Sequence, residues 1–238
     1  EAAGLASRSY GTVTSGLPAD RARLRNQGAL LKEVRELLTL SRGYGMESVR
    51  QRAMSTAETV SASLSEVVDD SALELVVDLR LAFGRLLAAL GANERAEKEH
   101  LDTAELSLSQ GWTESACAAL AMASHAAQAS GDRASSGRAW RKCRDAMESW
   151  PMNRPGERCG TLVDAVGDPL VALQVLSALA EVLVDGVEED HSRAPIIREI
   201  ISRASEQASR CVSPPQGAVE SLARVEERVA PYGRGRGG

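Results

Sequence analysis

Residues 81–108 read LAFGRLLAALGANERAEKEHLDTAELSL. An alanine- and leucine-rich stretch that is apolar on most sides runs into the polar break Gly91-Ala92-Asn93. In the stretch that follows, apolar residues recur only every three or four positions, as they do in a helix with one buried face. The same layout occurs four times along the chain. The sequence therefore predicts stacked helical hairpins, each covering the apolar face of its neighbour.

Composition agrees with an all-α fold. The 238 residues are 43% hydrophobic and 26% charged, but only 3% aromatic, with a single phenylalanine. A β-sandwich or barrel would be richer in β-branched and aromatic residues, whereas alanine and leucine favour close helix packing. We expect an array of about four antiparallel helical hairpins, either a solenoid or a compact two-layer body, with a capping helix at its C-terminal end.

The breaks divide the chain into one repeat domain with two irregular ends. The segment 1–17 is predicted to be disordered, or the remnant of a processed N-terminus, and 231–238 to be a flexible tail. A long irregular segment is expected from Trp150 to Gly160, where proline and glycine are frequent. The predicted repeat domain spans 18–230, with hairpins at about 20–66, 70–110, 112–150 and 162–211 and a cap at 216–230.

In the second hairpin, Leu90-Gly91 is followed by Glu94-Arg95-Ala96, then by Leu101 and Ala104, and Trp112 begins the next unit. This texture resembles tetratricopeptide repeats, in outline from about Asp20 to Cys211 and in its motifs from about Leu79 to Pro151. The period is irregular, because successive glycine breaks are not evenly spaced. The resemblance implies an α-helical array that holds peptides or partner domains.

Charge and hydrophobicity limit the classes of partner. The net charge of −5 offers no general attraction to phosphate backbones or anionic membranes, so we expect no nucleic-acid partner. The strongest apolar run, 169–184, is interrupted by Glu181 and is too short for a membrane span, so no membrane insertion is expected.

The four cysteines show no C-x-x-C spacing and are predicted to be reduced thiols, mostly buried in helices. Cys159, in the predicted irregular segment, is expected to be the exposed one. Reduced thiols favour a cytoplasmic location, although import into an organelle stays open, as does the oligomeric state.

Partner contacts are expected on the narrow polar strips of the apolar helices and on a basic excess between 133 and 158. A solvated helix face would give the same pattern, so these residues are candidates only. They are Glu74, Asp78 and Arg85 in the second hairpin, His125 and Gln128 in the third, Gln174 and Glu181 in the fourth, and Arg138 and Arg141 in the basic stretch.

A different class of function is suggested by two E-x-x-H sequences. Glu97 with His100, and Glu188 with His191, have the spacing that di-iron and di-manganese carboxylate proteins use on facing helices. Against this alternative, His191 falls in a predicted loop, and Glu97 lies in a run of charges that is typical of a solvated face.

The sequence favours a non-catalytic scaffold, or a structural subunit of a larger assembly, that binds a protein or peptide partner without a cofactor. The alternatives are the di-metal helical-bundle enzyme and a regulatory module that senses a ligand between hairpins.

Overall fold

A computed structural model describes residues 47–65 and 73–233, together with the helical positions 25, 26, 28, 29 and 32. The predicted N-terminal segment, most of the first predicted helix and the last five residues of the tail lie outside the described residues. In 47–65 and 73–233 there are nine α-helices and one short 3-10 helix. The helices are α1 Glu47–Ser65, α2 Leu73–Ala89, α3 Asn93–Ser109, α4 Thr113–Ser130, α5 Arg133–Glu148, α6 Pro155–Val166, α7 Pro169–Val184, α8 Arg193–Arg210 and α9 Gln216–Val229, and Ala230–Gly233 forms the 3-10 helix.

The helices end where the sequence carries helix-stop signals. Gly131 adopts φ 88°, a left-handed conformation that glycine takes without strain, and it ends α4. The carboxylate of Asp132 then accepts a hydrogen bond from the backbone N–H of Ser135 at 2.8 Å, which caps α5. The α4–α5 hairpin is thereby closed by a two-residue turn.

Two helices occupy the centre of the array. The small residues of α4 let α3 and α5 pack closely on either side, and α4 also contacts α6 and α7. The other central helix, α7, is buried on almost every face and packs against α8, α9 and α5. That sandwiching is what the nearly continuous apolar sequence of α7 predicts.

The core consists of two clusters that meet on α2. Val77 and Leu81 belong to a large cluster that continues through α4, α6 and α7 to α9. Leu79 and Phe83 belong to a smaller cluster with residues of α1 and α3. The observed fold is therefore the all-α array of antiparallel hairpins predicted above, with α9 as its capping helix.

The prediction of an irregular segment from Trp150 to Gly160 is wrong beyond Arg154. Pro155 occupies the first turn of α6, a position where its missing N–H costs nothing. The helix buries Cys159, Leu162 and Val166 and packs mainly against α4 and α8. Cys159 is therefore fully buried, contrary to expectation, and burial raises the pKa of its thiol to about 12.

Candidate functional site

An open cleft of about 370 Å³ lies between α5 and α7. Its walls are charged except for one valine, and one wall belongs to the basic stretch of α5 that the sequence nominates. The lining residues are Arg141, Arg144, Asp145 and Glu148 from α5, with Val182 from α7 and Asp185 directly after that helix.

The α5 wall arises from the amphipathic sequence of this helix. One face packs inward through Ala139, Cys143, Ala146 and Met147. The opposite face exposes cations along most of its length and carries carboxylates only near its C-terminal end. The exposed cations are Arg133, Arg138, Arg141, Lys142 and Arg144.

Glu181 joins the cleft to the capping helix. Its carboxylate lies 3.6 Å from an Nη atom of Arg144 on α5 and 3.8 Å from an Nη atom of Arg224 on α9. The buried hydroxyl of Ser221, also on α9, donates a hydrogen bond to the same carboxylate. Three helices are thus connected through one side chain.

Asp185, at the C-terminal end of α7, also has a partner on α9. Arg228 pairs with Asp185 at 2.8 Å and donates to the carbonyl of Val184 at 3.5 Å, where the last carbonyls of α7 lack helical partners. Arg138 and Arg141, in contrast, form no ion pair or hydrogen bond with any residue that the structure describes. Their guanidinium groups are exposed at the surface of α5.

The polar strip of α2 is used differently from what the sequence suggests. Arg85 donates hydrogen bonds to the carbonyls of Asp164 at 3.3 Å and Ala165 at 2.8 Å, so it caps the C-terminal end of α6. Glu74 and Asp78 stay at the surface. The pKa of Asp78 is raised to about 6, chiefly because its carboxylate is partly withdrawn from water and secondly because Glu74 lies nearby.

The remaining nominated residues do not line the cleft. His125 and Gln128 are exposed on the C-terminal half of α4, and Gln174 is half-buried on α7. Of the nominated residues, only Arg141 lines the cleft among the residues that the structure describes, and Glu181 pairs with the lining residue Arg144.

The two E-x-x-H sequences do not meet. Glu97 accepts a hydrogen bond from Ser135 of α5, and His100 is buried with 1% of its surface exposed. Glu188 and His191 lie in the exposed turn before α8, where the centroid of the His191 ring is 4.8 Å from that of Tyr232 and the ring planes are tilted by 42°. Within the described part of the chain no three histidine, cysteine, aspartate or glutamate side chains are grouped as metal ligands. The four predicted ligands are therefore not assembled into a di-metal centre.

His100 is a core residue, which sequence reasoning missed. Burial and, secondly, the nearby positive charge of Arg85 lower the pKa of its imidazole to about 3, so the ring is neutral. The sequence feature that could have indicated a buried neighbour is Gly84. It lies in the middle of a strongly apolar helix, where a glycine commonly marks the close approach of another group.

The helices described here include none that combines the length and the hydrophobicity needed to cross a bilayer. No protein-family model matches the sequence, and a search of curated proteins gave no match. Among solved structures, the chain is similar to the de novo designed helical repeat protein DHR64, at 22% identity and a TM-score of 0.39, over 88% of this chain and 98% of that one. It is also similar to the DHF58 filament, at 21% identity and a TM-score of 0.37, over 90% and 100% of the two chains.

Proposed function

We propose that the chain is a non-catalytic interaction scaffold that binds an extended segment of a partner protein in the cleft between α5 and α7. The observation that carries this proposal is that Arg141, which lines the cleft, and Arg138, three residues before it on α5, are exposed and unpaired among the described residues. Arg144 and Asp185, which also line the cleft, are paired. The resemblance to tetratricopeptide repeats supports the proposal, because such arrays hold peptides and partner domains.

The charge distribution along α5 defines the kind of segment. Arg138 and Arg141 precede Asp145 and Glu148, so cations occupy the middle of the helix and carboxylates its last turns. A complementary segment places an acidic side chain over the arginines, where a carboxylate is bound with two parallel hydrogen bonds. A basic side chain of the same segment lies near Glu148. The open and mostly charged cleft is better suited to such a segment than to an apolar small ligand.

Affinity capture from the native source tests the proposal. The full chain and the double variant Arg138→Glu/Arg141→Glu are immobilised in parallel, and bound proteins are identified by mass spectrometry. The matched control is Arg95→Glu/Lys98→Glu, which makes the same change in net charge on the exposed face of α3. Both variants are first checked for native helicity by circular dichroism.

We expect at least one protein that is captured by the wild type and by the α3 control but not by the α5 variant. Synthetic peptides that tile this protein should then locate a binding segment containing an acidic and a basic residue. Equal capture by all three chains, or a segment that binds both double variants equally, would show that the cleft is not the binding surface.

A further inference from the structure

The α4–α5 hairpin brings two pairs of small side chains face to face. The hydroxyl of Ser124 lies 2.9 Å from the hydroxyl of Ser136 and donates to the carbonyl of Ser136 at 3.0 Å. One heptad away on each helix, Cys117 lies opposite Cys143. Because both pairs are in the same antiparallel register, the two helix backbones run close together over this length.

The two thiols point toward each other. The Sγ atom of Cys143 contacts the carbonyl oxygen of Cys117 at 3.4 Å, and the Sγ atom of Cys117 contacts the carbonyl oxygen of Cys143 at 3.9 Å. Both residues are completely buried. The pKa of the Cys143 thiol is raised first by its hydrogen bond with the Cys117 side chain and then by burial, so the two sulfur atoms are themselves neighbours.

We propose that Cys117 and Cys143 are a latent disulfide pair, which a low-molecular-weight disulfide such as oxidised glutathione closes to cross-link α4 with α5. One cysteine thiolate attacks a glutathione sulfur, the glutathione S–S bond breaks, and a mixed disulfide forms. The second cysteine then displaces the remaining glutathione. Two electrons pass from the protein sulfurs to glutathione, and the two protein protons end on the two released glutathione thiols.

Access to the buried pair comes from the position of α5. This helix packs mainly on α4 and, to a smaller extent, on α7, and its other face is exposed. A local opening of α5, which breaks its contacts with α4 and α7 and the hydrogen bond from Ser135 to Glu97, exposes both thiols. Because closure needs this opening and a thiolate, we expect it to be slow in the native chain.

The other two cysteines provide internal controls. Cys159 is buried on α6, and Cys211 is partly exposed at the end of α8. Oxidised glutathione should modify Cys211 by adding one glutathione, whereas the proposed pair loses two hydrogen atoms. Intact mass and peptide mapping separate these products. The Cys211→Ser chain removes the exposed thiol and is the parent for the measurement.

The experiment measures the equilibrium between reduced and closed Cys117–Cys143 in glutathione buffers, for the native chain and for the same chain in concentrated urea. Equilibrium is approached from both sides, from the reduced protein and from protein oxidised in urea and then refolded. Because the fold holds the sulfurs together, the disulfide should form more readily in the native chain than in the unfolded chain. We expect half-closure of the native pair at a ratio of reduced to oxidised glutathione that is at least about tenfold higher than the ratio for half-closure in the unfolded chain.

A native chain that is no easier to oxidise than the unfolded chain would overturn the proposal. So would an oxidised chain that fails to regain native helicity, since the disulfide would then be incompatible with the fold. A Cys143→Ser variant of the parent should show no loss of hydrogen under the same buffers. If it still forms an intramolecular disulfide, the pairing is a different one and the proposal is wrong.

Discussion

The imidazole of His100 on α3 lies directly against the backbone of Gly84 on α2. A β-carbon placed on Gly84 would stand 2.3 Å from the Cε1 atom of the ring, well inside the closest approach of two carbon atoms. Both residues are tightly packed: Gly84 is buried, and only 1% of the His100 surface is exposed. The missing side chain of Gly84 is therefore what admits the histidine into the core and brings α3 close to α2.

Replacing Gly84 by alanine should destabilise the protein. The added methyl group forces the His100 ring into its packed neighbours, and such overpacking costs about 1–3 kcal/mol, which outweighs the roughly 1 kcal/mol by which alanine favours a helix over glycine. The measurement is the free energy of unfolding in urea. The second variant Gly84→Ala/His100→Ala should recover part of the loss, because the ring that clashes is gone.

Gly137 is the control for this prediction. It lies within α5, and a β-carbon there would approach only the end of the Arg141 side chain, at 4.0 Å. Gly137→Ala should therefore raise the free energy of unfolding by up to about 1 kcal/mol. Similar effects of the two substitutions would contradict the role given to the Gly84–His100 contact.

Acid should weaken the fold through His100. The pKa of this imidazole is about 3 in the folded chain, against about 6.5 for a histidine in an unfolded chain, so at intermediate pH the unfolded state binds the proton. Stability is then lost as the pH falls from 6.5 toward 3, by about 2 kcal/mol between pH 7 and pH 5. The difference in unfolding free energy between wild type and His100→Gln should change by that amount over this interval.

Asp78 acts in the opposite direction. Its pKa is about 6 in the folded chain and about 3.8 otherwise, so the folded state holds the proton more tightly and stability is lost as the pH rises through this range. The comparison is therefore repeated in two chains that both carry Asp78→Asn, one with His100 and one with His100→Gln. If the unfolding free energies of these two chains change in parallel with pH, the His100 ring is not buried in its neutral form.

Removing Arg85 should loosen α6. Its guanidinium binds the carbonyls of Asp164 and Ala165, and a charged hydrogen-bond donor at a helix C-terminus is worth about 1–2 kcal/mol. Arg85→Gln should lower the free energy of unfolding by that amount and speed amide hydrogen exchange in the last turn of α6. Arg95→Gln, on the exposed face of α3, should change neither quantity.

The buried hydroxyl of Ser221 should couple energetically to Glu181. Ser221→Ala removes the hydrogen bond that joins α9 to α7 and should cost about 1 kcal/mol. In a double-mutant cycle with Glu181→Ala, which removes the acceptor, the two effects should not add, because both substitutions disrupt the same contact. Ser209→Ala is the control, since its exposed hydroxyl contacts only a carbonyl of its own helix and should contribute little. Full additivity would mean that the contact does not hold α9 in place.

Some elements were predictable because they depend on local sequence alone. The Gly131-Asp132 turn combines a left-handed glycine with a capping carboxylate, and both act within a few residues. The helix α6 was not predictable in the same way. Its short apolar stretch follows a stretch of proline and glycine, and it becomes a helix because α4 and α8 cover Cys159, Leu162 and Val166.

The candidate site also combines residues whose location agrees with the sequence prediction and residues whose role only packing decided. Arg141 was nominated from the basic excess and Glu181 from the polar strip of an apolar helix; Arg141 lines the cleft, and Glu181 pairs with Arg144 there. Arg85 was nominated by the same rule as Glu181, yet it lies against the end of α6 and binds backbone carbonyls. Sequence periodicity identifies which side of a helix is polar, but it does not identify what lies opposite that side.

By itself the sequence determined the all-α class, the positions of the glycine-centred breaks and the apolar faces of α2 and α7, because these depend on composition and on spacing within one helix. Tertiary structure alone decided that His100 would be buried on Gly84, that the two E-x-x-H sequences would lie apart, and that Cys117 would face Cys143. Each of these depends on the distance between residues on different helices, which is set by how the whole set of side chains packs.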